Sequence, residues 1–142
     1  MSHAIKKASV IGVYNHPEGV KQSVGKLKKY GFDIRKLSIV GKGYHPCTSL
    51  FMISGLGPLA VSGPLVASIV RAFGQGVYIR SLSALHEGLY NIGIPKKSVF
   101  QCETALKNGL CLVCAQGPVD KMAEVKRVFA LSKAIEITVH YQ

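Results

Sequence analysis

Residues 8–41, ASVIGVYNHPEGVKQSVGKLKKYGFDIRKLSIVG, predict a strand, a helix and a second strand, and this order decides the fold class. The first seven residues are apolar and rich in β-branched side chains, which favours a buried strand. Between residues 17 and 30, apolar residues recur at helical spacing, at Val20, Val24 and Leu27. The last ten residues alternate loosely between apolar and polar side chains, as strands with one buried face do. The stretch is therefore a β-α-β unit.

The C-terminal part of the chain predicts a second set of elements of the same kind. Residues 96–109, KKSVFQCETALKNG, have the composition of a helix that ends at a glycine. Residues 110–115, LCLVCA, are a wholly apolar run with the length of a buried strand, and another helix begins at residue 117. Residues 135–141, IEITVHY, then alternate between apolar and polar side chains, which predicts a strand with one covered face.

Together the two units predict an α+β ferredoxin-like sandwich, in which four antiparallel strands stand in the order 4-1-3-2. The first and third predicted strands are apolar on both faces and should be central, whereas the second and fourth carry charges and should be edges. The 142 residues form one domain in this interpretation: 1–43 and 95–142 are its halves, and 44–94 are a Gly/Ala/Pro-rich helical insertion. The second face of the central strands needs a cover, either the insertion or another subunit.

The insertion contains GPLAVSGPLVAS, residues 57–68, in which six residues occur almost twice within the charge-free stretch 43–70. We expect no membrane span here, because one crossing would separate the two halves of the sheet and the prolines would interrupt the helix twice. Proline after each glycine also removes the amide donor that a phosphate loop needs. Small residues are typical of close helix contacts, so we expect one or two short helices over residues 48–74. Self-association into a homo-oligomer is predicted at three of these small residues: Gly57, Gly63 and Ala67.

The charge of the chain is strongly positive and uneven. The formal net charge is +11, and residues 1–43 hold nine basic residues against two acidic ones. Such a field favours an anionic membrane surface, nucleic acid or an acidic ligand, although a solvated face that serves solubility explains the same residues. The opening residues lack the apolar core of a secretory signal, and we expect a cytoplasmic protein, peripheral to the membrane at most. The predicted anion-binding residues are Lys21, Lys26, Lys28, Lys29, Arg35 and Lys36.

Few residues suggest chemistry, and none is assigned a catalytic, metal or cofactor role. Cys111 and Cys114 form a CxxC, but within a strand their side chains point to opposite faces, so we expect reduced core residues. His45 and Cys47, in the loop after the second predicted strand, leave open a thiol or metal-dependent enzyme. The other histidines are interpreted as a helix cap at His16 and as isolated surface or edge residues at His86 and His140.

Two stretches resemble the heat-induced general stress protein (YflT-like) family of small bacterial proteins. They are VIGVYNHPEGVKQSVGKLKKYGFDIRKLSIVGKG, residues 10–43, and GIPKKSVFQCETALKNGLCLVCAQG, residues 93–117. The glycine-rich middle of the chain is similar to the insertion of that family, whereas Cys102 stands where the family has a tyrosine before the glutamate. The resemblance implies a stress-related protein without established catalytic residues. We therefore expect a non-enzymatic, self-associating protein that contacts an anionic surface; a binding module for nucleic acid or an acidic ligand is the alternative.

Overall fold

The computed structural model describes residues 6–42, 49–73, 79–80 and 82–141, and it has the α+β class that the sequence predicts. The strands in the described part of the chain are β1 (Lys7–Tyr14), β2 (Leu37–Gly41), β3 (Ser49–Ile53), β4 (Gly57–Ser62), β5 (Ile79–Arg80), β6 (Cys111–Pro118) and β7 (Glu136–Tyr141). The helices there are α1 (Pro17–Lys29), α2 (Pro64–Phe73), α3 (Leu82–Asn91), α4 (Lys96–Lys107) and α5 (Val119–Leu131). One turn of 3₁₀ helix, Ile34–Lys36, precedes β2.

The sheet is larger than the four strands expected from the sequence. Its order is β5-β3-β4-β2-β6-β1-β7, and every pair is antiparallel except the short parallel pair of β3 and β5. The strands predicted from the two β-α-β units lie next to one another within it, in the order β7-β1-β6-β2. The expectation that β2 is an edge is wrong, because β4 pairs with its other side from Ile39 to Gly41.

The middle of the chain differs most from the expected helical insertion. Residues 49–62 form the antiparallel hairpin of β3 and β4, and only the second Gly-Pro begins a helix, α2. Phe51, Ile53, Leu59 and Val61 alternate inward along the hairpin, which is the two-residue period of strands. No helix in the described ranges is long and apolar enough to cross a membrane.

Helices cover both faces of the sheet. On one face, α2, α3 and α4 pack on side chains that include Ile11, Val40 and Leu112. On the other face, α1 and α5 pack on side chains that include Val10 and Val113. The chain itself therefore supplies the cover that the second face of the central strands needs, through α4 and the helices of the middle segment.

A hydrogen bond from the sheet fixes the start of α2. The Oγ of buried Ser38, on β2, accepts a hydrogen bond of 3.1 Å from the backbone NH of Leu65 in the first turn of the helix. This NH has no partner within the helix, so the serine serves as its cap. Gly63, just before the helix, has a φ of +84°, a backbone conformation that favours glycine. The junction between β4 and α2 is thus held against β2.

Candidate functional site

The layer formed by α1 and α5 carries much of the positive charge. Residues 15–36 and 119–134, here called the basic layer, contain ten basic residues and four acidic ones. Both helices bury one apolar face against the sheet and against each other, which leaves the lysines on the outer surface. All six predicted anion-binding residues belong to this layer.

Two of these six residues have an acidic partner in the part of the chain that the structure describes. The Nζ of Lys21 lies 3.9 Å from Glu18, and Arg35 donates two hydrogen bonds to the carboxylate of Asp33, of 3.0 and 3.1 Å. These hydrogen bonds lower the pKa of the Asp33 carboxyl, so it stays ionised and paired. Within the described part of the chain, no carboxylate lies within 4.0 Å of the other four: Lys26, Lys28, Lys29 and Lys36.

A cavity of about 230 Å³ lies in the basic layer, between the end of α1 and the start of α5. Its apolar wall includes Leu27 and Val125, and its aromatic rings are Tyr30 and Phe32. Two lysines also line it, Lys36 from the 3₁₀ turn and Lys121 from the first turn of α5. The remaining lining residues are Gly31, Asp33, Gln116, Pro118 and Glu124.

The local backbone explains why these side chains converge. After α1 ends, the NH of Phe32 donates a hydrogen bond of 2.9 Å to the carbonyl of Leu27, which turns the chain back over the helix. Asp33 then caps the 3₁₀ turn by accepting a hydrogen bond from the NH of Arg35. Lys36, at the end of that turn, lines the cavity together with residues of α5.

The electrostatics of the cavity favour an anion. Both acidic lining residues have an arginine partner: Asp33 has Arg35, and Glu124 lies 3.9 Å from Arg127. Lys36 and Lys121 have no carboxylate within 4.0 Å among the described residues. The guanidinium of Arg127 also stands 6.0 Å from the centre of the Tyr30 ring, within the range of a cation–π contact. The uncompensated charge at the cavity is therefore that of its two lysines.

The three residues predicted for self-association were expected at close contacts between helices, and the structure places them elsewhere. Gly57 begins β4, Gly63 occupies the turn before α2, and Ala67 is on the exposed side of α2. None of the three lies where two helices meet. The close helix contact of this region is at Gly88 of α3 instead, where a Cβ would meet Ile69 and Leu65 of α2.

The described thiols are core residues, as predicted. Cys111 packs among the residues under α1 and α5, whereas Cys114 packs on the opposite face of the sheet, so the CxxC does not converge. Burial raises the pKa of both thiols, and it raises that of Cys102 to about 12. His45 and Cys47 lie outside the described residues. In the described ranges, no group of three or more histidine, cysteine, aspartate or glutamate side chains could hold a metal ion.

The histidines correct one prediction. His86 is not isolated: its Nε2 lies 2.6 Å from the Oε1 of Glu103, whose other oxygen is 2.9 Å from Lys107. These contacts join α3 to α4 and lower the pKa of the Glu103 carboxyl, the hydrogen bond from Lys107 contributing most. His16 does occupy the cap position of α1, but its side chain makes no capping hydrogen bond. His140 lies on the edge strand, as expected.

Sequence reasoning missed half of the cavity. It singled out Lys36 but not Lys121, Tyr30 or Phe32, because these residues come together only when α1, the 3₁₀ turn and α5 pack around the cavity. A scan against protein-family models, a search of curated proteins and a search of solved structures each found no match to this chain. The function of the protein is therefore inferred from the geometry of the site.

Proposed function

We propose that this protein is a non-enzymatic binding module for an acidic ligand, which it holds in the cavity between α1 and α5. The observation that carries the proposal is the pair of lysines, Lys36 and Lys121, that line an apolar and aromatic cavity and have no carboxylate partner among the described residues. Pockets of this kind, mostly apolar with a few converging polar groups, are typical of small-molecule sites. The ligand should thus combine an anionic group with an apolar body.

The size of the cavity limits the ligand. About 230 Å³ is less than the volume of most drug-sized sites, and it suits a single ring that carries one phosphate or carboxylate group. The rings of Tyr30 and Phe32 can cover the apolar body, while the lysines neutralise the acid. Lysine binds phosphate as a compact charge with three donors, so the site should prefer a dianion over a neutral compound of the same shape.

The proposal is tested by calorimetry with three probes: phenyl phosphate, inorganic phosphate and benzyl alcohol. We expect phenyl phosphate to bind most tightly, because only it can use the lysines and the apolar wall together. Binding should weaken as salt rises, since part of the attraction is electrostatic. The double variant Lys36→Gln, Lys121→Gln should lose at least about tenfold in affinity, as expected for the loss of hydrogen bonds to a charged group.

A matched control separates the cavity from the general charge of the layer. The double variant Lys28→Gln, Lys126→Gln removes the same charge from exposed positions of α1 and α5 that do not line the cavity. It should retain phenyl phosphate binding within about threefold, because the charges it removes are screened by solvent. Equal losses in the two double variants would contradict a site in the cavity, and so would an absence of binding by the wild-type protein at low salt.

A second candidate function is attachment to an anionic surface. Tyr30 and Ile34, beside the lysines at the end of α1, are 54% and 41% exposed. Exposed apolar side chains next to lysines are typical of segments that lie in a membrane interface. Nucleic acid is favoured less, because helices cover both faces of the central strands β1 and β6 and leave no exposed aromatic side chain on these two strands for bases to stack on.

The resemblance to the YflT-like family supports a stress-related role. This role is inferred from the sequence pattern alone. The order β7-β1-β6-β2, with α1 and α5 on one face, supports a ferredoxin-like unit that the β3–β4 hairpin enlarges. Self-association stays part of the proposed function. It was expected at the small residues of the middle segment, but the apolar side chains of that segment pack within the chain. The open edge of β7 supports self-association better.

A further inference from the structure

The last strand of the sheet, β7, has an open side. It pairs with β1 along one edge, and no strand in the described part of the chain pairs with the other. Natural proteins protect such edges with prolines, lysines or very short strands. The six residues of β7, EITVHY, contain neither proline nor lysine, whereas the strand at the opposite end of the sheet, β5, has only two residues. The β7 edge is therefore suited to pairing with another strand.

The hydrogen-bond pattern of the sheet shows which residues of β7 face outward. The NH of Val119 donates to the carbonyl of Lys6, and Pro118, which has no NH, lies opposite Lys7. Even-numbered residues of β1 therefore bond to β6, and its odd-numbered residues bond to β7, because neighbouring residues of a strand point to opposite sides. In the register of β1 and β7, Ile11 lies opposite Thr138. The even-numbered residues of β7 thus bond to β1, and Ile137 and Val139 point their NH and carbonyl groups outward.

We infer that β7 pairs with β7 of a second copy of this chain, antiparallel, around a two-fold axis at Thr138. Ile137 then lies opposite Val139 of the second copy, and these two symmetric pairs form about four hydrogen bonds. An axis perpendicular to the sheet keeps the helices of each copy on their own faces. The two seven-stranded sheets become one continuous sheet.

The apolar face of β7 is self-complementary in this register. Its odd-numbered residues lie on the side of α5, where Ile137 and Val139 are half-buried. Tyr141, at the end of this row, is 71% exposed. Ile135, 55% exposed, lies just before the strand, where its NH donates a hydrogen bond of 2.7 Å to the carbonyl of Val13. In the dimer Tyr141 reaches the start of β7 of the second copy, near Ile135, so the pairing brings exposed apolar side chains together at each end of the row.

The other face of β7 is polar. Glu136 lies opposite His140 of the second copy, with Thr138 opposite Thr138 between the two symmetric pairs. The Nε2 of His140 is buried without a hydrogen-bond partner among the described residues, and burial, followed by the positive charge of Lys97, lowers the pKa of this imidazole. The register therefore pairs the carboxylate of Glu136 with an imidazole and sets no like charge directly opposite it. Moving the axis by one residue would place Glu136 opposite Thr138 or Gln142 and lose this match.

The first test is the mass of the wild-type protein in solution, measured by sedimentation over a wide range of concentration. We expect a dimer, twice the 15.3 kDa of the chain, in equilibrium with monomer. The variant Ile135→Lys, Tyr141→Lys should shift the protein to monomer, because it replaces exposed apolar side chains at both ends of the interface with lysines, which disfavour pairing at strand edges. The control Leu50→Lys, Phe100→Lys changes two residues of similar exposure on β3 and α4, and it should stay dimeric.

The second test fixes the register by oxidation. Thr138→Cys places two thiols on the two-fold axis, within the range of a disulfide, and should yield a covalent dimer. Glu136→Cys is the control, because its two thiols would stand about 13 Å apart along the strands. Both are made with Cys47→Ser and Cys102→Ala, since Cys102 lines the same small cavity as Thr138 and could capture its thiol.

A wild-type protein that is monomeric at all concentrations would overturn the proposal. So would a dimer that Glu136→Cys links and Thr138→Cys does not, or one that survives Ile135→Lys, Tyr141→Lys. If that variant fails to fold, as judged by circular dichroism, the two cysteine variants decide alone. None of these outcomes depends on the anionic ligand, so the dimer and the binding site succeed or fail separately.

Discussion

Gly63 packs directly against the backbone carbonyl of Leu37: a Cβ at position 63 would overlap the Leu37 oxygen. Close contact between β2 and the turn before α2 thus explains the second Gly-Pro of the repeated stretch within a single chain. The first has another role, because Gly57 opens β4 and, its two chain neighbours aside, no described residue has an atom within 4 Å of where its Cβ would stand. Two similar pieces of sequence therefore serve different structural purposes.

We predict that Gly63→Ala destabilises the fold by more than about 3 kcal/mol, because it adds a backbone clash to an unfavourable φ. Gly57→Ala is the matched control: its φ of +85° is as unfavourable, but the space is open. It should cost only about 1–2 kcal/mol. Urea unfolding of both variants measures the difference. If the two variants lowered the free energy of unfolding equally, the close contact between Gly63 and Leu37 would not contribute to the effect.

The sequence predicted the outer elements because each has its own periodic signal. β7 alternates clearly, and α1 has a regular apolar face between Gly19 and Gly31. The β3–β4 hairpin was mistaken for helix because its strands do not alternate visibly. Leu50 and Met52 are apolar yet exposed, so the inward row of Phe51 and Ile53 is hidden within a continuous apolar run.

Pro58 is a second reason why β4 was not predicted. Proline is rare inside sheets, and the prolines of this stretch predict only that a helix through it would be interrupted. In the structure Pro58 lies opposite Met52 on β3. The described part of β2 pairs with residues Ala60–Ser62 of β4, so Pro58 lies outside that pairing. The cavity between α1 and α5 was unpredictable for another reason. Lys36 and Lys121 are far apart in sequence, and they line one cavity only because the 3₁₀ turn and α5 pack beside each other in the fold.

The contact between His86 and Glu103 predicts a pH-dependent contribution to stability. The pKa of the Glu103 carboxyl is lowered from its ordinary 4.5 by hydrogen bonds from Lys107 and His86. The ionised Glu103 carboxylate therefore stabilises the folded protein above pH 4.5, and this stabilisation is lost as the pH falls through the lowered pKa of the folded state. Glu103→Gln should cost about 1 kcal/mol at pH 7 and nothing in strong acid. Urea unfolding at several pH values measures this, with exposed Glu87→Gln as control; a cost that is independent of pH would contradict it.

We expect the thiols of Cys102, Cys111 and Cys114 to react slowly with a disulfide reagent in the folded protein. Burial raises the pKa of all three, so little thiolate forms, and the reagent must also reach the core. In a Cys47→Ala variant, modification should proceed only as fast as the protein opens, and urea should accelerate it. Reaction at the rate of free cysteine would contradict the burial of at least one of these residues.

If the basic layer also attaches to anionic surfaces, the protein should bind phosphatidylserine vesicles and be released by salt. Lys28→Gln, Lys29→Gln should weaken binding about fivefold for each charge removed. Tyr30→Ser, Ile34→Ser should weaken it without changing the salt dependence, because these side chains contribute apolar contact. Vesicle co-sedimentation measures both effects. Binding that is insensitive to all four changes would exclude this end of α1 as the contact surface.

The most direct test of the binding site is to map it by NMR during a titration with phenyl phosphate. The account predicts saturable shifts of backbone amides around the cavity, at Gly31, Phe32, Lys121 and Val125, and little change along β7. The same amides should not respond in the Lys36→Gln, Lys121→Gln variant, although its spectrum shows it folded. Shifts scattered over all exposed lysines, or shifts that persist in that variant, would contradict a site between α1 and α5.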